Sequence, residues 1–298
     1  MIETVLVACD FSSASARALA YGTDVAARMG ARLHLLHVHE VPGGPFARGP
    51  RSVEARGATL QQQFRERCGR ILAPYGRAPS DDEVSCLLDE GPAAAPAIVH
   101  CAEAHDVDLV VMGTHGRRGV RRLLVGSVAE EVLRTAPCPV LTTRAHDARP
   151  RTDALQRLVA PVDFSEASRE ALRFAAGLAL AYGLPLALVH VVDLPTLPTL
   201  YDLEVSGRSP DEIEARVHEE LETWGRSVAA DGQEVSVLVR RGDPVPALLG
   251  CASAPTDLLV MATHGLSGVK RRVLGSVAEG ILRRAPGPVI TGRTFPES

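Results

Sequence analysis

The stretch VLVACDFSSASARAL, residues 5–19, occurs a second time in the chain as LVAPVDFSEASREAL, residues 158–172. In each stretch an apolar run ends in Asp-Phe-Ser, and a helix-forming segment follows it. The two aspartates, Asp10 and Asp163, lie 153 residues apart. An apolar run that passes through a short polar turn into helical periodicity is typical of a strand followed by a helix. The chain therefore contains two matching strand–helix units.

A second repeated stretch extends this match. MGTHGRRGVRRLLVGSVAEEVLRTAPCPVL, residues 112–141, corresponds to MATHGLSGVKRRVLGSVAEGILRRAPGPVI, residues 261–290, at an offset of 149 residues. A long repeat at a nearly constant offset indicates a duplicated domain rather than an array of short solenoid units. We expect one domain over residues 1–145 and another over residues 154–294. The polar segment 144–156 is interpreted as the linker between them.

Strand-like and helical patterns alternate through each copy. Helices between successive strands predict a parallel sheet that is covered on both faces. DLVVM and DLLVM are uninterrupted apolar runs, as in strands buried on both faces. We therefore expect an α/β fold with two tandem open five-stranded sheets, each in the order 3-2-1-4-5 that parallel sheets of five strands commonly have. In the first copy the predicted strands are Thr4–Cys9, Arg32–His39, Glu83–Leu88, Asp108–Met112 and Val140–Thr143, and the predicted helices are Ser13–Met29, Ser52–Leu72, Ala93–Ala104 and Ser127–Thr135.

Composition excludes several classes of function. The net charge of −4 gives no reason to expect a nucleic-acid partner. No apolar run approaches the roughly 18 residues of a membrane span, and the first residues lack a secretory signal pattern, so we expect a cytoplasmic protein. The six cysteines lack zinc-ligand spacing and are predicted to be small buried residues, with a redox role for one of them left open.

The predicted strand order places strands 1 and 4 side by side, and ligands of such sheets bind beyond the carboxyl ends of those strands. Asp10 follows strand 1. The loop after strand 4 contains Gly113 and Gly116, then nine residues, then Gly126 and Ser127 at the start of a helix. Glycines allow close approach of the backbone, and the N–H groups at a helix start favour anions. The loop predicts a phosphate site, and a tight turn with a helix cap is the alternative interpretation.

The spacing G-x2-G-x9-G-S, followed by a helix and a Pro-x-Pro-Val strand, resembles the universal stress protein family. The Asp-Phe-Ser turn after strand 1 and the His-Val pair in strand 2 resemble the same family. The resemblance covers nearly the whole chain, twice. It implies a tandem member with a fold like that of the adenine nucleotide alpha hydrolases. In the nucleotide-binding branch of the family the loop holds ATP, with or without Mg²⁺.

The resemblance also implies a role for each residue of the site. Asp10 would contact the adenosine, Val38 would meet the adenine through its backbone, and Met112 would lie along the ribose. The glycines and the helix start would hold the phosphates, largely through backbone N–H groups. The implied residues are Asp10, Phe11, Val38, Met112, Gly113, His115, Gly116, Gly126, Ser127 and Val128 in the first copy, and Asp163, Phe164, Val191, Met261, Ala262, His264, Gly265, Gly275, Ser276 and Val277 in the second.

Several of these positions have a simpler interpretation. Asp10 and Asp163 are candidates for the N-caps of the first helices. His37 and His190 lie within strands and are predicted to be packed histidines of the core. Ala262 replaces Gly113 in the second copy and would be strained if the backbone φ there were positive. The basic stretch between the loop glycines is either a solvated flap or a neutraliser of phosphate charge.

The leading functional hypothesis is a non-enzymatic, ATP-binding regulator of the stress response, in which bound nucleotide biases a surface for a protein partner. No lysine occupies a Walker position and no carboxylate pair accompanies the loop, so no catalytic residue is assigned. A slow Mg²⁺-dependent ATPase and a nucleotide-independent interaction module are the alternatives. The last strands, Pro139–Thr143 and Pro288–Gly292, are expected to pair within the chain as a pseudo-dimer, and further homodimerisation is left open.

Overall fold

The computed structural model describes residues 2–41, 50–78, 82–114, 125–144, 155–193, 210–264 and 274–296. Contacts divide the chain into two compact units, Ile2–Thr152 and Asp153–Ser298. Residues 145–154, which form most of the predicted linker, lie outside the described residues.

The first unit is a five-stranded parallel sheet with the strand order β3-β2-β1-β4-β5. This order confirms the predicted α/β fold. The strands are β1 (Thr4–Ala8), β2 (Arg32–Glu40), β3 (Val84–Gly91), β4 (Leu109–Gly113) and β5 (Val140–Thr143), and the helices are α1 (Ser13–Met29), α2 (Pro50–Leu72), α3 (Ala94–Ala104) and α4 (Ser127–Thr135).

The second unit repeats this arrangement as a parallel sheet with the strand order β8-β7-β6-β9-β10. Its strands are β6 (Arg157–Pro161), β7 (Leu186–Val192), β8 (Val235–Arg241), β9 (Asp257–Ala262) and β10 (Val289–Gly292), and its helices are α5 (Glu166–Tyr182), α6 (Pro210–Val228), α7 (Pro244–Cys251) and α8 (Ser276–Arg284).

Burial and turn chemistry explain these elements. Val5, Leu6 and Val7 of β1 are fully buried, as the continuous apolar run predicts for a strand covered on both faces. Helix α1 ends at Gly30, whose φ of 65° is the left-handed conformation that glycine adopts most readily. Strand β3 extends to Gly91, beyond the predicted end, because β2 pairs with it along its whole length.

The cysteines belong to this packing. Five of the six are buried, and Cys138 is half-buried. Burial raises the pKa of the Cys9 thiol to about 12 and that of the Cys138 thiol to about 12, so both stay protonated at neutral pH. They pack as small apolar side chains. None of the helices in the described part of the chain is long and apolar enough to cross a bilayer.

Candidate functional site

Strands β1 and β4 end side by side in the first unit. Val7 pairs with Val111, so Asp10 and Thr114, each three residues further along, leave the sheet at the same edge. Strands β6 and β9 bring Asp163 to the corresponding edge of the second unit. The structure therefore brings together, at the carboxyl end of each sheet, two turns that are about a hundred residues apart in sequence.

The aspartate after the first strand folds the turn that precedes the helix. Oδ1 of Asp10 accepts the backbone N–H of Ser12 at 2.9 Å, and Oδ1 of Asp163 accepts that of Ser165 at 3.1 Å. The N-caps of α1 and α5 are Ser12 and Ser165, whose side chains accept N–H groups of the first helical turn. The alternative that the aspartates cap these helices is therefore wrong, because the serine two residues later has that role.

The residue after each aspartate has an unusual backbone. Phe11 and Phe164 each have a φ of 63°, in the left-handed region that a bulky side chain rarely enters. Such a conformation costs on the order of 1 kcal/mol and persists only where the surroundings enforce it. The Phe11 ring lies 4.8 Å from the His37 ring, and the Phe164 ring lies 4.9 Å from the His190 ring. Packing on the strand histidine thus holds the same strained turn in both units.

The strand histidines bind the end of the neighbouring strand. Nδ1 of His37 lies 2.6 Å from the Cys9 carbonyl oxygen, and Nδ1 of His190 lies 2.6 Å from that of Val162. Because a carbonyl oxygen only accepts, Nδ1 carries the proton and donates in both cases. His190 is 4% exposed, and burial lowers its pKa. His190 is therefore the packed histidine that the sequence predicts, and its half-buried counterpart His37 makes the same bond.

Helices α4 and α8 begin where the preceding strand ended. The backbone N–H of Gly126 donates to the Thr114 carbonyl at 2.7 Å, and that of Gly275 donates to the Thr263 carbonyl at 2.9 Å. These glycines are the N-caps, and Ser127 is the first helical residue rather than a cap. One hydrogen bond therefore joins the two ends of the loop between the strand and the helix, beside the turn that follows the first strand.

Within the described part of the chain, no side chain caps α4, α8 or α3, whereas α1, α5 and α7 each have a capping serine or aspartate. The first-turn N–H groups of α4 and α8 belong to Ser127, Val128, Ser276 and Val277. They lie at the positive end of the helix dipole, which favours an anion. As far as the structure describes each unit, a helix start without a side-chain cap therefore lies at the same edge as the aspartate turn.

Close packing, and not a left-handed backbone, requires Gly113 and Gly275. Gly113 and Gly275 both lie outside the left-handed region. A Cβ on Gly113 would lie 2.6 Å from Cβ of Ala14, and a Cβ on Gly275 would lie 2.7 Å from the Thr263 carbonyl oxygen. Ala262 likewise has no positive φ, so the strain considered for that substitution does not arise.

His264 is the last described residue before the part of the second loop that lies outside the described residues, and its imidazole is a candidate polar group of the site. Oγ1 of Thr263 donates to the Gly292 carbonyl at 3.3 Å, so its 3.0 Å contact with Nδ1 of His264 uses the imidazole proton. Nε2 of His264 is buried and has no hydrogen-bond partner among the described residues. A buried acceptor without a partner is unusual in a folded protein, so this nitrogen is a candidate to accept a hydrogen bond from a ligand.

The remaining implied residues lie along the same edge. Met112 and Met261 are buried near the ends of β4 and β9, and Val38 and Val191 lie near the ends of β2 and β7. His115, Gly116 and Gly265 lie outside the described residues, as does the basic stretch of each loop. Within the described residues, no group of three His, Cys, Asp or Glu side chains could hold a metal ion.

Sequence reasoning missed the contributions of two residue types. Thr114 and Thr263 accept the N–H that closes each loop, and their own amides donate to β5 and to the end of β10. The strand histidines were expected only to pack, although they also bind a strand-end carbonyl. The sequence did show that the same residue type occurs at these positions in both copies. Duplication preserves structural residues as well as functional ones, however, so this match could not reveal their roles.

Comparison with known proteins identifies the family. The model of the universal stress protein family matches residues 1–144 and again residues 154–292. A universal stress protein of Mycobacterium tuberculosis (strain ATCC 25618 / H37Rv) is 27% identical over 292 residues, which are 97% of this chain and 96% of that protein. A universal stress protein of Thermus aquaticus is 36% identical over 144 residues, which are 48% of this chain and 100% of that protein.

Solved structures show the same fold. A universal stress protein from Archaeoglobus fulgidus DSM 4304 is similar with a TM-score of 0.68 and 22% identity, over 97% of this chain and 98% of that chain. The two family matches together account for nearly the whole sequence, one in each unit. The chain belongs to the universal stress protein family and carries two copies of its domain.

Proposed function

We propose that each copy binds an adenine nucleotide, ATP with or without Mg²⁺, and that the chain is a non-enzymatic, nucleotide-dependent regulator of the stress response. One observation carries this proposal. Among the described residues no side chain caps the start of α4, which lies beside the strained turn of Asp10, and α8 repeats this arrangement beside Asp163. A nucleotide has groups that match both sides of such a crevice, because its phosphates suit the helix start and its sugar hydroxyls suit the aspartate.

The helix start supplies the phosphate side. The partial positive charge at a helix N-terminus, roughly half an elementary charge, favours a phosphate group. The N–H groups of Ser127 and Val128 would bind phosphate oxygens, and the exposed Ser127 side chain could add its hydroxyl. In the second copy the buried Nε2 of His264 offers one more polar group.

The first-strand turn supplies the nucleoside side. The Asp10 carboxylate, oriented by the Ser12 amide, would accept a hydrogen bond from the adenosine. Mg²⁺ commonly keeps several waters and is held by substrate phosphates with one or two carboxylates. A nucleotide could therefore bring Mg²⁺ with it, although the described residues form no cluster of metal ligands.

Nucleotide binding would act on the loop between β4 and α4. A ligand that contacts both Gly126 and the Asp10 turn favours the loop conformations compatible with both contacts, and disfavours the others. The loop would then present one surface with nucleotide and another without it. A protein partner that prefers one surface would then bind with an affinity that depends on whether nucleotide is bound.

Replacement of a single residue can remove one phosphate donor without breaking the helix. Proline at the first helical position lacks only an N–H that has no partner within the helix, and the ψ of 148° at Gly126 suits a residue before proline. We expect Ser127→Pro to weaken ATP binding at the first site about tenfold, and Ser127→Ala, which keeps the amide, by about threefold or less. Titration calorimetry of both variants, with Ser276→Pro and Ser276→Ala for the second site, measures the difference.

The control is adenosine, whose affinity should be the same in the proline and alanine variants because it has no phosphate. Equal ATP affinity in both variants would contradict a backbone phosphate site. Mass spectrometry of small molecules released from freshly purified protein tests occupancy directly. ADP formation from ATP and Mg²⁺ that disappears in Asp10→Ala and Gly126→Ala would favour the slow ATPase, and absence of any nucleotide binding would favour the interaction module.

A further inference from the structure

The ladder between the first two strands of each unit stops early. In the first unit the last pair is Ala8 with Leu36, and the last bond runs from the Cys9 amide to the Leu36 carbonyl at 2.8 Å. In a parallel ladder the next bond would run from the Val38 amide to the Cys9 carbonyl. Within the described residues, no such bond joins Val38 to Cys9.

The strand histidine takes the acceptor that this bond would need. The Cys9 carbonyl receives the Nδ1–H of His37 at 2.6 Å, one residue before Val38 on the same strand. The second unit repeats the arrangement, since the Val162 carbonyl receives Nδ1–H of His190 at 2.6 Å. The side chain of one residue thus binds the carbonyl that the backbone amide of the next residue would use, on the side from which that amide would approach.

The valine backbone faces the resulting gap. Alternate residues of β2 direct their backbone groups towards β3, as the bonds of Leu33 and Val41 to that strand show. Val38 lies two residues after Leu36, whose backbone bonds to β1, so the N–H and C=O of Val38 point to the same side. On that side β1 has already ended. The ring of His37 is held between the rings of Phe11, at 4.8 Å, and Phe64, at 5.8 Å.

We propose that His37 and His190 are positioning residues that keep the first two strands apart at this edge, and so present the N–H and C=O of Val38 and Val191 to the base of a bound nucleotide. This inference rests on the function proposed above. It makes the strand histidine the residue that decides which class of purine each site accepts.

The expected class is a 6-aminopurine. A backbone N–H beside a C=O complements a ring nitrogen that accepts and an exocyclic amino group that donates. A 6-oxopurine reverses both groups, with a ring N–H and a carbonyl oxygen, and would leave polar atoms unpaired, which is strongly disfavoured in a desolvated site. If the strands closed, the valine N–H would bond to the strand-end carbonyl and this discrimination would be lost.

The paired variants His190→Asn and His190→Gln test this proposal. The Asn amide nitrogen occupies nearly the position of Nδ1 and can still donate to the Val162 carbonyl, whereas the Gln amide extends towards the position of Nε2. In the nucleotide-free full chain we expect the Val191 amide to exchange rapidly in wild type and in His190→Asn, and about tenfold more slowly in His190→Gln. Amide exchange followed by NMR measures this directly.

The second readout is the ratio of GTP to ATP dissociation constants at the second site. We expect His190→Gln to reduce this ratio about tenfold and His190→Asn to leave it within about threefold, consistent with the loss of one discriminating hydrogen bond. A purely structural histidine would lower both affinities together without changing the ratio. His37→Asn and His37→Gln repeat the test in the first unit, where the unchanged second unit is the internal control for folding.

The outcomes separate this inference from the proposed function. Slow exchange of the Val191 amide in wild type would overturn the strand separation, whatever the chain binds. Rapid exchange with a GTP/ATP ratio that the Gln variant leaves unchanged would overturn the role in base recognition. Absence of nucleotide binding in wild type would overturn the proposed function and, with it, the base recognition, while the exchange data would still decide whether the histidine separates the strands.

Discussion

The two units pack their first helix on the sheet with different side chains. In the first unit a Cβ on Gly22 of α1 would overlap Cγ2 of Val7 in β1. The corresponding residues of the second unit are Ala175 and Ala160, and both are buried. In the first unit the strand residue therefore supplies all of the side-chain volume at this contact, and the helix residue supplies none. In the second unit the strand and the helix each supply one methyl group. A core contact constrains the total volume more strongly than it constrains either residue.

The same difference continues at the candidate site. A Cβ on Gly113 would lie 2.6 Å from Cβ and 2.9 Å from the carbonyl carbon of Ala14, at the start of α1. The second unit has Ala262 at this position and accommodates its methyl group next to α5 without a positive φ. The helix start thus approaches the end of β4 more closely than a methyl group allows. The two sites share their chemistry but differ in how tightly the helix closes one side.

The largest expected effect comes from adding a methyl group at Gly22. We expect Gly22→Ala to lower the free energy of unfolding of the first unit by about 1–3 kcal/mol, because buried Val7 cannot move aside. The double variant Val7→Ala/Gly22→Ala, which recreates the pair of the second unit, should be more stable than the two single variants predict, with a coupling of about 0.5–3 kcal/mol. Urea unfolding followed by circular dichroism gives the cycle, and strict additivity would show that the pair is not coupled.

A smaller effect is expected at the site itself. Gly113→Ala should destabilise the first unit by about 1–2 kcal/mol through its contact with the Ala14 backbone. The reverse change, Ala262→Gly, should destabilise the second unit by about 0.5–1 kcal/mol, mainly through backbone entropy. The only tryptophan, Trp224, reports the second unit by fluorescence. A larger loss from Ala262→Gly than from Gly113→Ala would contradict the close approach of α1.

The smallest expected effect is a loss of stability in acid. Burial lowers the pKa of His190 from its usual 6.5, so between the native value and 6.5 the unfolded chain binds a proton that the native unit does not. Stability of the second unit should therefore fall as the pH is lowered below about 6.5, and the loss becomes constant once the native histidine is also protonated. Thermal unfolding followed by Trp224 fluorescence measures this loss.

His190→Asn is the matched control, because it keeps the donor to Val162 and does not titrate. In this variant the acid loss reported by Trp224 should decrease. The first unit should keep its own acid loss, because burial and the charges of His105 and Arg32 lower the pKa of His34 there. An unchanged loss in the second unit would show that His190 is not its source.

Local patterns predicted most of the fold. Apolar runs that alternate with helical periodicity predicted the parallel sheet, because strands joined through helices run parallel. The predicted strand order was the common one for such sheets, and the structure confirms it. Gly30 predicted the end of α1, since the left-handed residue after a helix is a local requirement. The candidate site could be located for the same reason, because the strand order places Asp10 and Gly113 at one edge before any distance is known.

The details of the site could not be predicted in this way. Asp10 and Ser12 both suit a helix cap, and the choice between them depends on the turn that the Phe11 ring holds against His37. Ser127 suited a cap as well, until the bond from Gly126 to Thr114 placed the cap one residue earlier. Each decision depends on a contact between segments that are distant in sequence.

The sequence by itself determined that two copies of one α/β domain are present and at which edge of each sheet the candidate site lies, because periodicity and duplication are local properties of the chain. Only the tertiary structure decided why Gly113 and Gly275 are needed, which residues cap α1, α4, α5 and α8, and that a histidine binds the carbonyl at the end of the neighbouring strand. These features depend on differences of a few tenths of an ångström in the distances between packed elements. Such differences arise from the packing of the whole unit rather than from any one segment.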